Sequence, residues 1–92
     1  MHEGDAIARD DAEALGLRAL GWTLAEPARA MRLLDVTGLC PADLRARASD
    51  PVVLVAALNF LEAYEPDLIA CAASLGVPPQ QLVRARATME TT

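Results

Sequence analysis

The sequence predicts an all-α fold, a compact six-helix domain made of two pseudo-repeated three-helix units. Three observations predict it. Ala, Leu and Arg dominate the 92 residues while β-branched residues are sparse, a composition suited to short helices. Pro and Gly stand at intervals that read as helix starts and stops. One string of residue types also recurs along the chain, as helical repeats do.

Taken in order, Asp5 is a candidate N-cap for a first helix from about Ala6 to Ala25. Leu15, Ala19 and Trp22 recur there on one helical face, which Leu17, Leu20 and Leu24 widen. Pro27 suits the first turn of a second helix, where a missing N–H costs nothing, with Met31 and Leu34 as its inward stripe and Gly38 as its end. Pro41 opens a short third helix carrying Leu44. The pair Asp50-Pro51 is a cap followed by a first-turn proline for the fourth. That fourth helix reads VVLVAALNFL from Val52 to Leu61, apolar nearly all round, and a helix without a polar face must be covered on most sides. Pro66 starts a fifth helix with Leu68, Ile69, Ala72 and Leu75, closed by Gly76, and Pro79 begins a sixth with Leu82.

The duplication rests on two matches at an offset of 38 positions. Ala19-Leu20-Gly21-Trp22 corresponds to Ala57-Leu58-Asn59-Phe60, and Gly38-Leu39-Cys40-Pro41-Ala42-Asp43-Leu44 to Gly76-Val77-Pro78-Pro79-Gln80-Gln81-Leu82. Glu26-Pro27 and Glu65-Pro66 match one position further apart. The expected organisation is one domain over 1–92, with repeats at about 12–49 and 50–88 and frayed ends at 1–5 and 89–92. A chain of this length buries roughly 60 to 65% of its unfolded surface and supports one core.

Charge narrows the function classes. The net charge is −5, with eight Lys plus Arg, none of them Lys, against thirteen acids. This is the wrong sign for bulk attraction to phosphate backbones or anionic membranes, so nucleic acid is disfavoured as a partner. The acidic, polar first thirteen residues do not read as a secretory signal. No apolar run reaches the roughly 20 residues of a membrane crossing. The expected location is the cytoplasm. Cys40 and Cys71 are too far apart for a Cys-x-x-Cys pair and read as reduced, largely buried thiols.

The strings ALGWTLAEP, TGLCPADLRARASDP and ALNFLEAYE together resemble a family of small bacterial all-helical proteins, domain-of-unknown-function family 3572, over about Leu15 to Arg86. The shared features are an Ala-Leu-x-aromatic helix, a Gly-Leu-x-Pro-x-x-Leu-Arg turn and a Leu-x-Phe-Leu helix. This chain departs at Trp22, where the family pattern implies Phe, and at Asn59, where it implies Asp. The resemblance implies the architecture and brings no activity, ligand or partner with it.

Catalysis is not expected, and no catalytic, cofactor-binding or metal residue is assigned. His2 is the only histidine and stands at the terminus, which leaves no internal imidazole for nucleophilic or metal-based chemistry. Acid pairs such as Asp10 with Asp11 read as solvated helix ends. The reading reached is a protein-interaction or regulatory module whose partner is another protein or a second copy. Its candidate contacts are Glu62, Glu65 and Asp67, which could steer a basic partner. The alternative is a helix-turn-helix-like DNA-binding protein. Ala72, Gly76 and Leu82 have that motif's spacing, repeated by Leu34, Gly38 and Leu44, and the last helix would present Gln80, Gln81, Arg84 and Arg86 to DNA. The same spacing also makes any tight helical corner. The two readings part on whether Arg45, Arg47, Arg84 and Arg86 form an exposed stripe or are paired with acids.

Overall fold

A computed structural model describes residues 7–90. They form six helices, α1 (Arg9–Leu24), α2 (Pro27–Thr37), α3 (Pro41–Ala46), α4 (Pro51–Glu62), α5 (Glu65–Leu75) and α6 (Pro79–Glu90), with no strand among the described residues. Five of the six starts carry Pro in the first turn where the sequence places it, at α2, α3, α4, α5 and α6. At α4 the expected cap is present: the Asp50 carboxylate accepts from the Val52 N–H at 2.9 Å. Gly38 and Gly76 close α2 and α5 with φ of 74° and 75°, a left-handed conformation that side chains resist.

The core is built by α1, α4 and α6, which pack most extensively on one another, with α5 and α2 laid against them. Leu20, Leu54, Leu58, Leu61 and Leu82 are fully enclosed. At Gly16 the three helices come together: an added Cβ would lie 3.2 Å from the Met89 methyl and 3.3 Å from the Leu54 Cβ. The one buried polar side chain of the described residues, Thr23, returns its hydroxyl to the Ala19 carbonyl at 2.9 Å, so it costs the core little. Three helix C-terminal ends are closed by guanidinium groups. Arg29 donates to the Trp22 carbonyl (2.7 Å), Arg18 to the Leu75 carbonyl (3.0 Å), and Arg9 to the Thr88 and Met89 carbonyls (3.5 and 3.4 Å). The radius of gyration, 12.5 Å, equals that of a single domain of this length. No described helix is long and apolar enough to cross a membrane.

Several expectations need correction. The first helix begins at Arg9, because Ala8 is extended and offers no capping side chain; Asp5, Ala6 and His2 lie outside the described residues. Leu17 and Leu24 do not join the inward face of α1 but are exposed. In α2 the buried residue is Leu33, while Met31 faces solvent and Leu34 is half-buried. Arg29, one turn before Leu33, shares its face: its guanidinium lies 3.7 Å from the centre of the Trp22 ring and donates to the Trp22 carbonyl, so the 29/33 face is the one turned inward. Ile69 is likewise exposed on α5, and the buried residues there are Cys71 and Ala72. Met89 and Glu90 do not fray: α6 runs to Glu90 and Met89 is buried against Gly16. Cys40 is exposed rather than buried; Cys71 is enclosed, and burial pushes its thiol up to about 11 against the nearby Arg29 and Arg18 charges.

Candidate functional site

The residues nominated from sequence do not form one site. Glu62 accepts a hydrogen bond from Arg86, so a member of the acidic set and a member of the DNA-reading set neutralise each other across α4 and α6. Arg86 also donates to Glu90 at 2.6 Å, and these carboxylates push its pKa still higher. Asp67 is held by Arg32 of α2 at 2.9 Å. Only Glu65 of the three acids stands exposed without a described partner, at the first position of α5.

The four arginines that separate the two readings do not make a stripe of available cations. Arg47 pairs with Asp50 at 3.4 Å and Arg86 with two glutamates, while Arg84 is half-buried and donates to Gln81 at 3.5 Å. Arg45 is exposed and makes no ion pair among the described residues. Gln80 is exposed and Gln81 half-buried. The residues with helix-turn-helix spacing are core or corner: Ala72, Leu82 and Leu44 are buried, and Gly38 and Gly76 close helices.

A different site is present, and of the residues singled out as functional candidates only Arg47 lines it. A groove of about 650 Å³ runs between α2 and α4. Its α4 wall is formed by Val52, Val53, Ala56, Asn59, Phe60 and Ala63, one face of that helix, with Tyr64 just beyond. Its α2 wall is Arg32, Asp35, Val36 and Thr37, and Leu39 and Arg47 close the end where α3 turns away. The floor is apolar and the charge sits on the rim. Val36 and Val52 stand on opposite lips, 70% and 67% exposed. At the far end the Arg32 guanidinium lies 5.5 Å from the centre of the Phe60 ring and 5.9 Å from that of Tyr64, joining the aromatic pair to Asp67.

The groove exists because α4 is apolar on more faces than its neighbours cover. Val53, Leu54, Ala57, Leu58 and Leu61 face the core. Val52 and Ala56 fall on the side where α2 stands off and α3 is only six residues long. The signal was legible in part: the run Val52 to Leu61 lacks a polar face. Which face would stay open was not.

A second hollow of about 380 Å³ lies between the start of α1 and the start of α6, lined by Ile7, Asp11, Leu15, Arg18, Val77 and Gln81. It is more polar, and Arg18 within it already closes α5. No group of three or more His, Cys, Asp or Glu able to hold a metal ion occurs among the described residues.

Compared with known proteins, residues 9–92 match the family described as Protein of unknown function (DUF3572). No curated protein and no solved structure matches the chain.

Proposed function

The chain belongs to the DUF3572 family, and on that footing we propose that it is a non-catalytic protein-interaction module whose α2–α4 groove receives an apolar helical segment. The observation that carries this reading is the uncovered α4 face. Val52 and Ala56 present apolar surface along a trough walled by a second helix, the shape in which helix-in-groove recognition buries side chains. From Val52 to Ala63 the trough is about 17 Å long at 1.5 Å per residue, room for roughly three turns of a partner helix. Its two arginines, Arg32 and Arg47, are held in ion pairs with Asp67 and Asp50, which suits orientation of a partner more than proton transfer. The internal duplication belongs to the same proposal: the two corners are diverged copies, and the matching φ of Gly38 and Gly76 supports it.

Site-specific photo-crosslinking in cells tests the reading. A photoreactive residue at Ala56, on the groove wall, is expected to join an apolar helical stretch of a polypeptide identified by mass spectrometry. The same group at Ser74, exposed on α5, serves as the control. Equal, unspecific labelling from the two positions would sink the proposal.

A further inference from the structure

We propose that the helix received by the groove is α2 of a second copy of this chain, so that two copies pack reciprocally about a twofold axis; this rests on the groove reading above. Arg32 and Asp35 lie three residues apart on the groove side of α2, and both are exposed. Asp35 makes no ion pair among the described residues. Two α2 helices running antiparallel, centred between these positions, bring Arg32 of each copy against Asp35 of the other. An isologous interface requires this arrangement, a surface that complements itself.

Arg32 can serve both partners. Its guanidinium offers five donors and spends one described hydrogen bond on Asp67, with the side chain 49% exposed. Shape agrees with charge. Val36 projects from α2 beside a trough floored by Val53 and Ala56, so each copy carries both the knob and the hollow. Length agrees as well: the 11 residues of α2 span about 16 Å, against about 17 Å of trough. The net charge of −5 does not oppose the pairing at the contact itself, because the charged residues that line the groove are two arginines, Arg32 and Arg47, and one acid, Asp35.

Sedimentation equilibrium on the full chain provides the test. Between about 1 μM and 1 mM the mass is expected to rise from 9.8 kDa towards twice that value. Asp35→Lys and Arg32→Glu, each at an exposed position and each checked for helical content by circular dichroism, are expected to weaken association about tenfold or more. Mixing the two variants in equal amounts sets opposite charges against each other at both contacts and is expected to restore the dimer. Val36→Asp, which leaves both charges in place, is expected to weaken it too. A wild-type chain that stays at monomer mass throughout, a dimer indifferent to these variants, or a mixture no better than its components overturns the proposal. The two readings fail separately. A monomer whose Ala56 crosslinks reach another polypeptide removes the second copy and keeps the groove, whereas a dimer with no Ala56 crosslinks removes the groove.

Discussion

The corner joining α2 to α3 and the corner joining α5 to α6 are spelled alike and do different work. Each ends a helix on a left-handed Gly and restarts on a Pro, at Pro41 and Pro79. In the second corner the closure is made wholly by backbone: Val77 N–H reaches the Ala72 carbonyl and Gly76 N–H the Ala73 carbonyl, the doubly bonded Schellman ending. In the first, Gly38 N–H reaches the Leu34 carbonyl, and Leu39 N–H turns to the Thr37 hydroxyl. The larger contrast follows the corner. After Pro79 the helix runs 12 residues and buries Leu82, Ala85 and Met89 against α1, α4 and α5. After Pro41 it runs six and buries only Leu44. The chain leaves helical geometry at Arg47 (φ −120°) and turns over residues 47–49 into Asp50, which is extended (ψ 124°) to cap α4, as the residue before a Pro favours. The short helix leaves α4 open on one side, and that opening is the groove. The proposed binding groove follows the length of what comes after a motif rather than the motif.

Substitutions can break or sharpen this contrast. The largest effect is expected in α6: Leu82→Ala, at a site with no exposure, should cost about 3–5 kcal/mol by chemical denaturation, and Leu44→Ala in α3 about 2. Equal costs would show that α3 carries more of the core than its length implies. Next comes the pair of cysteines. An unfolded Cys71 thiol ionises at its ordinary 9.0, whereas the folded one holds its proton to about 11. Between those values the native state therefore binds more protons, and stability falls as pH rises, by about 2–3 kcal/mol once pH 11 is reached. Cys71→Ala should flatten that slope, and in the native protein an alkylating reagent should modify Cys40 while sparing Cys71 until unfolding. Gly38→Ala and Gly76→Ala add a Cβ with no atom within 4 Å, so each should cost only the left-handed strain, about 1–2 kcal/mol in the same melts. A cost at Gly76 well above that at Gly38 would show that the Schellman ending is the stiffer of the two. The smallest effect belongs to the groove: Val52→Ala, 67% exposed, should move stability of the isolated chain by no more than about 0.5 kcal/mol.

Much of the fold was legible because its punctuation is chemical. A Pro lacks an N–H and a Gly tolerates positive φ, so Pro27, Pro41, Asp50-Pro51, Gly38 and Gly76 mark boundaries that no packing partner can move. Helix rotation was less legible. Leu33 and Leu34 are adjacent and equally apolar, and contacts between helices, Leu33 in the core and Arg29 on Trp22 on the same side of α2, separate the one that turns inward. The site was least legible. Glu62, Glu65 and Asp67 look like a patch along the chain, but Arg86 and Arg32 arrive from α6 and α2 to engage two of them. An ion pair across 24 or 35 positions leaves no local trace.

The packing of α1 on α6 carries a consequence for how the protein comes into being. These helices stand at opposite ends of the described chain and share its most extensive contact, and Arg9 at the start of α1 clasps the last carbonyls of α6. During synthesis at roughly 5–20 residues per second, α1 therefore emerges several seconds before the surface that covers it exists. Until α6 leaves the ribosome, Leu15, Ala19 and Leu20 have only part of their final burial available. Closure of the fold thus waits for α6 to emerge, and the interval before it is when the nascent chain most needs protection from its neighbours.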